Sequence, residues 1–517
     1  MSGVIVKNLP RFNHLVPQAG LSWECTRVLK KGYATKIAQT GGKNIVFIDG
    51  VRTPFLQANT DYNNLMAVDL ARHSLVNLQK KTGISKEAID YIVYGTVLQE
   101  VRTSNVGREA ALAAGYSDRT PAHTVTQACI SSNQGITTGM GLIACGVYDT
   151  IIAGGVELMS DIPIRHSRSM RNLMLRANKA KTPAQKLALL ATLRPYFLIP
   201  DLPAVAEYST NETMGHSGDR LAAAFGVSRQ EQDEYALRSH TLAAQAQQQG
   251  HLSDVIPFVV SGKKSVIDKD NGIRVSTPEQ MAKLKPAFVK PYGTVTAANA
   301  SFLTDGASAA LIMTEEKARQ LGLTPKAYLR AFTYVAQDPK DQLLLGPAYA
   351  IPKVLDKANL NLKDIGVWEV HEAFAAQILA NLKALDSDFF AKEYLHRSAK
   401  VGAPDLSKWN KWGGSLSIGH PFAATGVRLA THTANRMIKE DQQFGLIAAC
   451  AAGGQRQTTF IATLVYCKPR HSSVATSLTP TTDGHIFRIA NDSAEAEMYC
   501  DTTLRIRGVV ESPLELQ

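Results

Sequence analysis

The chain has 517 residues, of which 45% are hydrophobic and 20% are charged, and its formal net charge is +11. This length predicts more than one domain, and the composition is that of an ordinary soluble globular protein. The basic residues are scattered rather than gathered in one Arg-rich block with aromatic residues. Nucleic acid is therefore a weaker candidate partner than an anionic membrane or an anionic small molecule.

The six cysteines exclude two common kinds of site. No CxxC pair occurs, and no Cys/His cluster has the spacing of a zinc finger. So few cysteines in a long chain argue against a disulfide scaffold, and free thiols indicate a reducing compartment. No apolar run of about eighteen residues occurs, so no transmembrane helix is expected. The cysteines are Cys25, Cys129, Cys145, Cys450, Cys467 and Cys500.

Residues 1–42 differ in composition from the rest of the chain. They carry six Lys or Arg residues against the single acid Glu24. An acid-poor, basic leader predicts a mitochondrial transit peptide, and the alternative is a disordered tail.

Short apolar strands alternate with helices from residue 45 onwards, and this alternation predicts an α/β layered fold. Within the first half, which we place at 43–313, strands are expected at 45–49, 91–98, 124–126 and 151–153, and helices at 67–81, 105–115 and 130–145.

Cys129 lies where a predicted strand ends and a predicted helix begins. Amide N–H groups point outward at a helix N-terminus, and the helix dipole there favours an anion. We therefore expect a thiol at this place to ionise more readily and to act as a nucleophile. On this stretch alone, the alternative is a small buried core cysteine.

The alternation breaks at about 159–291, where helical and loop sequence with many charges predicts an insertion. Ser228 and Glu231 form a capping box, which predicts a helix that runs to Gly250. Residues 165–198 combine eight Lys or Arg residues with Leu, Met and aromatic residues and contain no acid. This segment suits an anionic membrane interface, and the alternatives are a solvated basic face or a partner-binding helix.

Strand and tight-turn sequence returns at 295–313, and a second half is expected at 314–467. Its predicted strands lie at 327–335, 367–370, 446–449 and 459–465. Each half has a strand that ends near a cysteine, Cys129 in the first and Cys450 in the second, which indicates two related halves. Gly453 and Gly454 allow a close approach of the backbone after Cys450. Residues 468–517 are rich in Ser and Thr without periodicity, and we expect them to be disordered or irregular.

Four motifs together resemble the thiolase family, in the family's order and over residues 45 to 455. They are ACISS at 128–132, VHEAFA at 370–375, WGGSLSIGHP at 412–421 and CAAGGQ at 450–455. The resemblance implies two related α/β halves in an α-β-α-β-α layered arrangement, with a loop domain as the insertion. It also implies a 3-ketoacyl-CoA thiolase of fatty-acid β-oxidation, an acyltransferase that cleaves 3-ketoacyl-CoA with CoA through a Cys acyl-enzyme.

The resemblance implies roles for several residues of the motifs. Cys129 is expected to be the nucleophile and Cys450 the second acid/base. His420 would activate Cys129 and donate to a carbonyl oxygen, and His371 would position a water or donate to the enolate oxygen. The amides near Ala452 and Gly453 would face an oxyanion beside the amide of Cys129.

Other family positions imply the coenzyme A site. Asn299 and Ser301 resemble the turn that contacts the pantetheine arm, and Met214 and Gly215 resemble the wall of the pantetheine tunnel. Coenzyme A is a substrate here, and the resemblance implies neither a metal nor any other cofactor.

Two departures from the family pattern keep rival functions open. Ala423 replaces a motif Gly, and its Cβ would lower the stability of the fold by about 1 kcal/mol or more if the position needs a positive φ. Arg456 stands where the family has Gly. The rivals are a biosynthetic acetoacetyl-CoA thiolase and a catalytically impaired, thiolase-like scaffold subunit. His371, where most of the family has Asn, disfavours the biosynthetic rival.

The resemblance also implies partners and a place in the cell. The expected partners are the α subunit of a trifunctional β-oxidation complex, an anionic membrane surface containing cardiolipin, and a second copy of the chain in a homodimeric core. The expected location is the matrix side of the mitochondrial inner membrane.

Overall fold

The computed structural model describes residues 42–202, 206–260, 262 and 265–452, together with the backbone of 460–466. The predicted transit peptide, the predicted tail, Gly453 and Arg456 lie outside the described residues. The strands of the described part are β1 (Ile45–Arg52), β2 (Leu56–Gln57), β3 (Tyr91–Gly95), β4 (Ala122–Val125), β5 (Thr150–Glu157), β6 (Phe258–Val259), β7 (Val266–Ile267), β8 (Thr304–Thr314), β9 (Ala327–Val335), β10 (Val367–Val370), β11 (Phe444–Ala449) and β12 (Phe460–Tyr466).

The main sheet is built from two halves with the same strand order. Its order is β10-β11-β12-β9-β1-β8-β5-β3-β4, and β2 pairs with β8. From the antiparallel β1–β9 junction, two antiparallel pairings and then one parallel pairing follow on each side. The strands β1, β8, β5 and β3 therefore correspond to β9, β12, β11 and β10. This repetition confirms the two related halves, and β8 ends at Thr314, where the sequence divides them.

Helices separate and cover the two half-sheets. They are α1 (Ala67–Thr82), α2 (Val106–Ala113), α3 (Ser131–Ala144), α4 (Arg168–Lys179), α5 (Pro183–Leu190), α6 (Met214–Ala224), α7 (Arg229–Gln248), α8 (Pro278–Ala282), α9 (Glu315–Gln320), α10 (Gly346–Ala358), α11 (Ala375–Leu385), α12 (Asp388–Glu393), α13 (Ser415–Ile418) and α14 (Thr425–Lys439).

The central layer consists of α3 and α14. Helix α3 packs on β3 and β5, α14 packs on β10 and β11, and the two helices contact each other. Helices α1 and α2 cover the outer face of the first half-sheet, and α10 covers that of the second, with α11 packed on α10. The layers therefore follow the expected α-β-α-β-α order, with both halves buried against a shared centre.

The sequence explains why the middle strands lie deepest. Every residue of β5 and of β8 is buried, and each strand contains a continuous run of small and apolar residues, at 151–156 and at 306–313. Strands covered on both faces have this continuous pattern rather than an alternating one.

The expected elements are present, with differences at their ends. The strand predicted at 91–98 stops at Gly95, because the amides of Val97 and Leu98 leave the sheet and donate to the Glu157 carboxylate at 3.2 and 2.8 Å. The helix predicted from the Ser228 capping box runs from Arg229 to Gln248 with that capping box formed.

The insertion carries α4 to α8 and the hairpin β6–β7. Helices α6 and α7 pack on α11, so this segment of the first half covers part of the second. Among the described residues, no helix is both long and apolar enough to cross a membrane.

We expect Gly155→Ala to destabilise the fold. A Cβ at Gly155 would lie 2.0 Å from the carbonyl oxygen of Ala423, so β5 and the 422–424 turn would have to separate. Forcing atoms into a packed site costs roughly 1–3 kcal/mol. Urea unfolding followed by circular dichroism measures the loss.

Gly141→Ala is the matched control for Gly155→Ala. Gly141 lies in α3 with open space where its Cβ would go, and Ala there should stabilise the helix by up to about 1 kcal/mol. Equal unfolding midpoints for the two variants would contradict the close approach at Gly155.

Candidate active site

Cys129 lies in a tight turn between β4 and α3. Ala128 before it has a φ of +44°, which turns the chain sharply. The Ser131 hydroxyl accepts a hydrogen bond from the Gln127 amide at 2.9 Å and donates to the Ala128 carbonyl at 2.7 Å, and this pair of bonds locks the turn. The half-buried Cys129 therefore precedes the first turn of α3, as the sequence predicts.

His420 is held by the start of α14. Its amide donates to the Thr304 hydroxyl at 2.9 Å, and its Nδ1 lies 2.6 Å from Thr425 Oγ1. The Thr425 hydroxyl donates its own proton to the Pro421 carbonyl at 3.0 Å. That hydroxyl is therefore left to accept from Nδ1–H, and this tautomer gives Nε2 a lone pair.

His371 follows β10, and the hydrogen bond at its Nδ1 runs in the opposite direction to that of His420. Its Nδ1 lies 2.8 Å from Ser415 Oγ, which accepts a hydrogen bond from Arg428 at 2.8 Å. Because a guanidinium only donates, the Ser415 hydroxyl proton remains for Nδ1. This pattern places the ring proton of neutral His371 on Nε2, so that His371 is a donor where His420 is an acceptor.

The structure brings Cys129, His371 and His420 together. Their Sγ atom and one nitrogen of each ring lie within 4.8 Å of one another, and the two ring centroids are 4.0 Å apart. Nε2 of each imidazole is buried and has no hydrogen-bond partner among the described residues. Buried polar atoms are normally paired with protein, ordered water or a ligand, so these two nitrogens are open to a substrate oxygen or another ligand.

Burial sets the charge state of the three groups. It raises the pKa of the Cys129 thiol to about 12, against a smaller lowering by the Ala452 amide. It lowers the pKa of His420 to about 3 and that of His371 well below its usual value. The expectation that the helix N-terminus makes Cys129 ionise more readily is therefore wrong, because loss of hydration outweighs the amide and dipole effects. At rest the cluster holds a neutral thiol and two neutral imidazoles.

Cys450 follows β11 and is buried. Burial is the main cause that raises its pKa, and the nearby Cys129 adds to the shift, so Cys450 is also a neutral thiol. The Ala452 amide hydrogen-bonds the Cys129 sulfur. Cys450 and Ala452 therefore lie near Cys129, as the sequence predicts. Gly453 lies outside the described residues.

A buried ion network that motif reasoning missed supports His371. Glu369 accepts hydrogen bonds from Arg436 at 2.7 Å and from Arg428 at 3.4 Å, and Arg428 also holds Ser415. All three charged side chains are fully buried. The network ties α14 to β10 and fixes the hydroxyl that orients His371. The signal available in the sequence was the pair of Arg residues inside an otherwise buried helix.

Glu372 also escaped prediction, although it follows His371. It is fully buried and accepts from the Tyr235 hydroxyl, the Ser239 hydroxyl and Asn410 Nδ2 at 2.9, 2.8 and 2.7 Å. Tyr235 and Ser239 belong to α7, so this carboxylate joins the insertion to the loop that carries His371.

Glu157, at the end of β5, holds the loops around Cys129. The Ala423 amide donates to the Glu157 carboxylate at 3.2 Å, in addition to the amides of Val97 and Leu98. Ala423 lies in a short 3-10 turn, 422–424, and is not among the residues with positive φ. The strain that a Cβ would cause in a left-handed conformation is therefore absent.

The residues predicted to bind substrate occupy two kinds of place. Asn299 is fully buried, and its amide group bonds Thr296, Asp233 and Thr294, so it shapes the turn from within. Ser301 is half-buried, and its amide donates to the Ala373 carbonyl at 3.0 Å, which fixes the turn beside the His371 loop.

Met214 and Gly215 begin α6 near two aromatic rings. A Cβ at Gly215 would lie 2.2 Å from the Phe288 ring, and Phe288 meets Phe374 edge to face at 6.0 Å. Met214 packs against the apolar cluster that contains Phe374. These positions form an aromatic wall next to the VHEAFA loop, and their substrate-binding role stays a prediction.

A cavity of about 360 Å³ lies between the insertion and the 297–302 turn. One lining residue, Leu416, is next in sequence to Ser415, the hydrogen-bond partner of His371. Arg274 provides a basic group in the lining, and Ala298 and Phe302 form the turn side. The full lining is Leu237, His240, Arg274, Ser276, Gln280, Met281, Leu284, Ala297, Ala298, Phe302 and Leu416.

The chain matches two family models and resembles annotated relatives along most of its length. Residues 45–316 match the thiolase N-terminal domain, and residues 323–463 match the thiolase C-terminal domain. The mitochondrial trifunctional enzyme subunit beta of Homo sapiens is 67% identical over 419 residues, which are 81% of this chain and 88% of that protein. A probable 3-ketoacyl-CoA thiolase of Caenorhabditis elegans is 62% identical over 422 residues, which are 81% of this chain and 94% of that protein.

A solved structure shares the fold. Human mitochondrial 3-ketoacyl-CoA thiolase in complex with CoA superposes with a TM-score of 0.69 at 28% identity, covering 82% of this chain and 98% of that chain.

Proposed function

The chain belongs to the thiolase family, and we propose on this premise that Cys129, His371, His420 and Cys450 carry its reaction. The enzyme is a 3-ketoacyl-CoA thiolase of fatty-acid β-oxidation, which cleaves 3-ketoacyl-CoA with CoA to acetyl-CoA and a shortened acyl-CoA. One observation carries the assignment: a half-buried thiol lies beside two neutral imidazoles whose Nε2 atoms have no partner among the described residues.

The first step is activation of the nucleophile. Because burial keeps Cys129 protonated and His420 neutral, the Sγ proton passes to the free Nε2 lone pair of His420. The thiolate then attacks the 3-keto carbon, and the new imidazolium donates to the oxyanion. Charge appears only when substrate is in place, in a site with little water to screen it.

The next step breaks the bond between carbons 2 and 3 of the substrate. Acetyl-CoA leaves as an enolate, whose oxygen accepts from Nε2–H of His371. The Cys450 thiol donates its proton to the carbanionic carbon. A thiol with a raised pKa suits this role because it is fully protonated when the step begins.

The last step releases the shortened acyl group. The Cys450 thiolate takes the proton of an incoming CoA thiol, and the CoA sulfur attacks the thioester carbon on Cys129. The amides of Cys129 and Ala452 donate to this second oxyanion, since the Ala452 amide already lies at the Cys129 sulfur. Cys129 then leaves and recovers its proton from His420.

Coenzyme A enters by the cavity between the insertion and the 297–302 turn. Its lining includes Leu416, which is next in sequence to the His371 partner Ser415, and the exposed Arg274, whose guanidinium can pair with a CoA phosphate. Human mitochondrial 3-ketoacyl-CoA thiolase has been crystallised with CoA. Ser301 directly precedes the lining residue Phe302, and we assign Ser301, Met214 and Gly215 to contacts with the pantetheine arm.

The names of the relatives supply the cellular setting. Trifunctional enzyme subunits beta are mitochondrial proteins, and their name implies an α subunit. This chain therefore works in mitochondria with an α subunit that carries other steps of β-oxidation. A homodimeric core remains a prediction.

A basic arm, residues 165–198, supports attachment to the inner membrane from the matrix side. Leu173 is the single buried residue of α4, a helix that the structure describes in full, and α5 has no buried residue. Leu175, Leu187 and Leu190 are each more than 60% exposed beside Lys and Arg side chains. Exposed Leu with basic groups suits cardiolipin, whose anionic headgroups attract each well-placed cation by roughly 1 kcal/mol.

Cys129→Ser should abolish thiolysis while preserving the fold, because an alcohol is a far weaker nucleophile than a thiolate. We expect kcat on 3-ketopalmitoyl-CoA to fall by roughly 10⁴-fold or more, with an unchanged unfolding midpoint.

Cys450→Ser should lower kcat by about 10²- to 10⁴-fold yet still allow an acyl group on Cys129, detected by mass spectrometry. Wild-type turnover in both variants would refute the assignment. Faster wild-type turnover on acetoacetyl-CoA than on 3-ketopalmitoyl-CoA would favour the biosynthetic rival.

Arg274→Gln should raise the KM for CoA by roughly tenfold, equivalent to about 1.4 kcal/mol, and leave kcat unchanged. The loss of a guanidinium–phosphate pair weakens binding without touching the reacting atoms. Lys283→Gln removes an equal charge from the same insertion but does not line the cavity, and it should behave as wild type. Equal KM values for the two variants would place the phosphates elsewhere.

Replacing Arg168, Arg176, Lys179 and Lys186 with Gln should weaken co-sedimentation with cardiolipin-containing vesicles and spare thiolysis of acetoacetyl-CoA. Arg171 is left unchanged because it pairs with Asp201 at 3.1 Å. The matched control replaces four exposed lysines outside the arm: Lys80, Lys283, Lys353 and Lys363. Binding should also fall with added salt. If both quadruple variants bind vesicles like wild type, the arm is not the membrane contact.

A further inference from the structure

The catalytic cluster has the donor set of a transition-metal site. Among the described residues, Cys129, His371 and His420 are the one group of three or more His, Cys, Asp or Glu side chains whose ligand atoms converge, within 4.8 Å of one another. One thiolate and two imidazoles are preferred ligands of Zn²⁺, which needs three or four donors in a tetrahedral arrangement.

Two further observations point to a ligand at this place. Nε2 of His371 and Nε2 of His420 are buried atoms without a hydrogen-bond partner in the described structure. Each ring is oriented through Nδ1 by a hydroxyl, that of Ser415 or that of Thr425. Metal-binding histidines donate their second ring N–H to an outer group, as His420 does from Nδ1 to Thr425. His371 reaches the same state once its proton has moved from Nε2 to Nδ1.

From this arrangement we infer that the cluster binds a soft divalent transition-metal ion, Zn²⁺ in particular, through Cys129 Sγ and the Nε2 atoms of His371 and His420. The ion blocks the nucleophile and thereby inhibits the enzyme reversibly. The binding itself does not depend on the proposed catalytic roles, because it uses only the three donor atoms.

The protons balance as follows. The Cys129 S–H bond breaks, an S–Zn bond forms, and one proton leaves to solvent. In His371 the proton moves from Nε2 to Nδ1, where the Ser415 oxygen accepts it. No electron is transferred. The fourth coordination position is left for water or for a substrate oxygen.

His371 provides one of the two imidazoles, so the proposed site depends on it. Most of the family carries Asn at the corresponding position, and an amide is a poor ligand for Zn²⁺. Family members with Asn there would retain one thiol and one imidazole, which hold the ion much less tightly.

The test uses the purified full-length protein with Co²⁺ and Zn²⁺ as probes. Co²⁺ should bind with a stoichiometry of one and give a thiolate charge-transfer absorption, which Zn²⁺ removes by displacement and EDTA abolishes. His371→Asn should weaken binding of both ions by roughly 10- to 100-fold or more, the scale seen even for changes outside the ligands. Cys129→Ala should eliminate the absorption. Each variant is checked for an unchanged unfolding midpoint.

Alkylation provides a second readout on the unaltered protein. Zn²⁺ should protect Cys129 from iodoacetamide, as followed by mass spectrometry, while the exposed Cys145 at the other end of α3 reacts equally with and without the ion. Cys145→Ala should retain the Co²⁺ absorption.

Three results would overturn the inference. One is the absence of saturable Co²⁺ or Zn²⁺ binding. Another is wild-type affinity in His371→Asn, which would mean that His371 is not a ligand of the ion. The third is loss of the absorption in Cys145→Ala, which would place the ion at the surface.

Discussion

The active site depends on the close approach of two helix N-termini at the centre of the molecule. Helix α3 begins after Cys129 and α14 begins after His420, and they meet where a Cβ on Gly426 would lie 2.1 Å from Asn133 Oδ1. The Val427 amide donates to the Ser132 hydroxyl at 3.2 Å across this contact. Because one helix comes from each half, neither half holds the nucleophile and its base together. The fold brings them into contact only when both half-sheets close on the shared central layer.

Burial at this contact determines the chemistry. Deprived of water, the thiols and imidazoles remain neutral, so the enzyme begins uncharged and creates its charges during the reaction. The two imidazoles differ because Thr425 and Ser415 orient them oppositely, leaving one as acceptor and the other as donor. The buried network of Glu369, Arg428 and Arg436 keeps Ser415 in place.

Much of the fold followed from the sequence because strand and helix patterns are local properties. The Ser228 capping box predicted its helix closely, whereas the strand expected at 151–153 is the middle of the longer β5, and β8 begins inside the strand and turn sequence expected at 295–313. The motifs likewise indicated which four side chains would meet. The pKa of Cys129 could not be predicted. The local sequence indicates a helix N-terminus and its dipole, but the burial of the thiol depends on residues that are distant in the sequence. Glu372 was missed for the same reason: its partners Tyr235 and Ser239 lie more than 130 residues away. Whether Ala423 is strained depends on its φ, and the replacement of one motif residue does not reveal that angle.

The position of β12 has a consequence for how the protein is made. This strand comes last among the described residues, yet it lies between β9 and β11 in the second half-sheet. Until residue 466 has left the ribosome, both neighbours present unpaired strand edges, the kind of surface that recruits other chains. The first half-sheet has the same arrangement, with its last strand β8 between β1 and β5, but it is complete once residue 314 has emerged, while synthesis of the second half continues. The second must wait for nearly the whole chain, and a chaperone that shields β9 and β11 in that interval would meet a specific need of this topology.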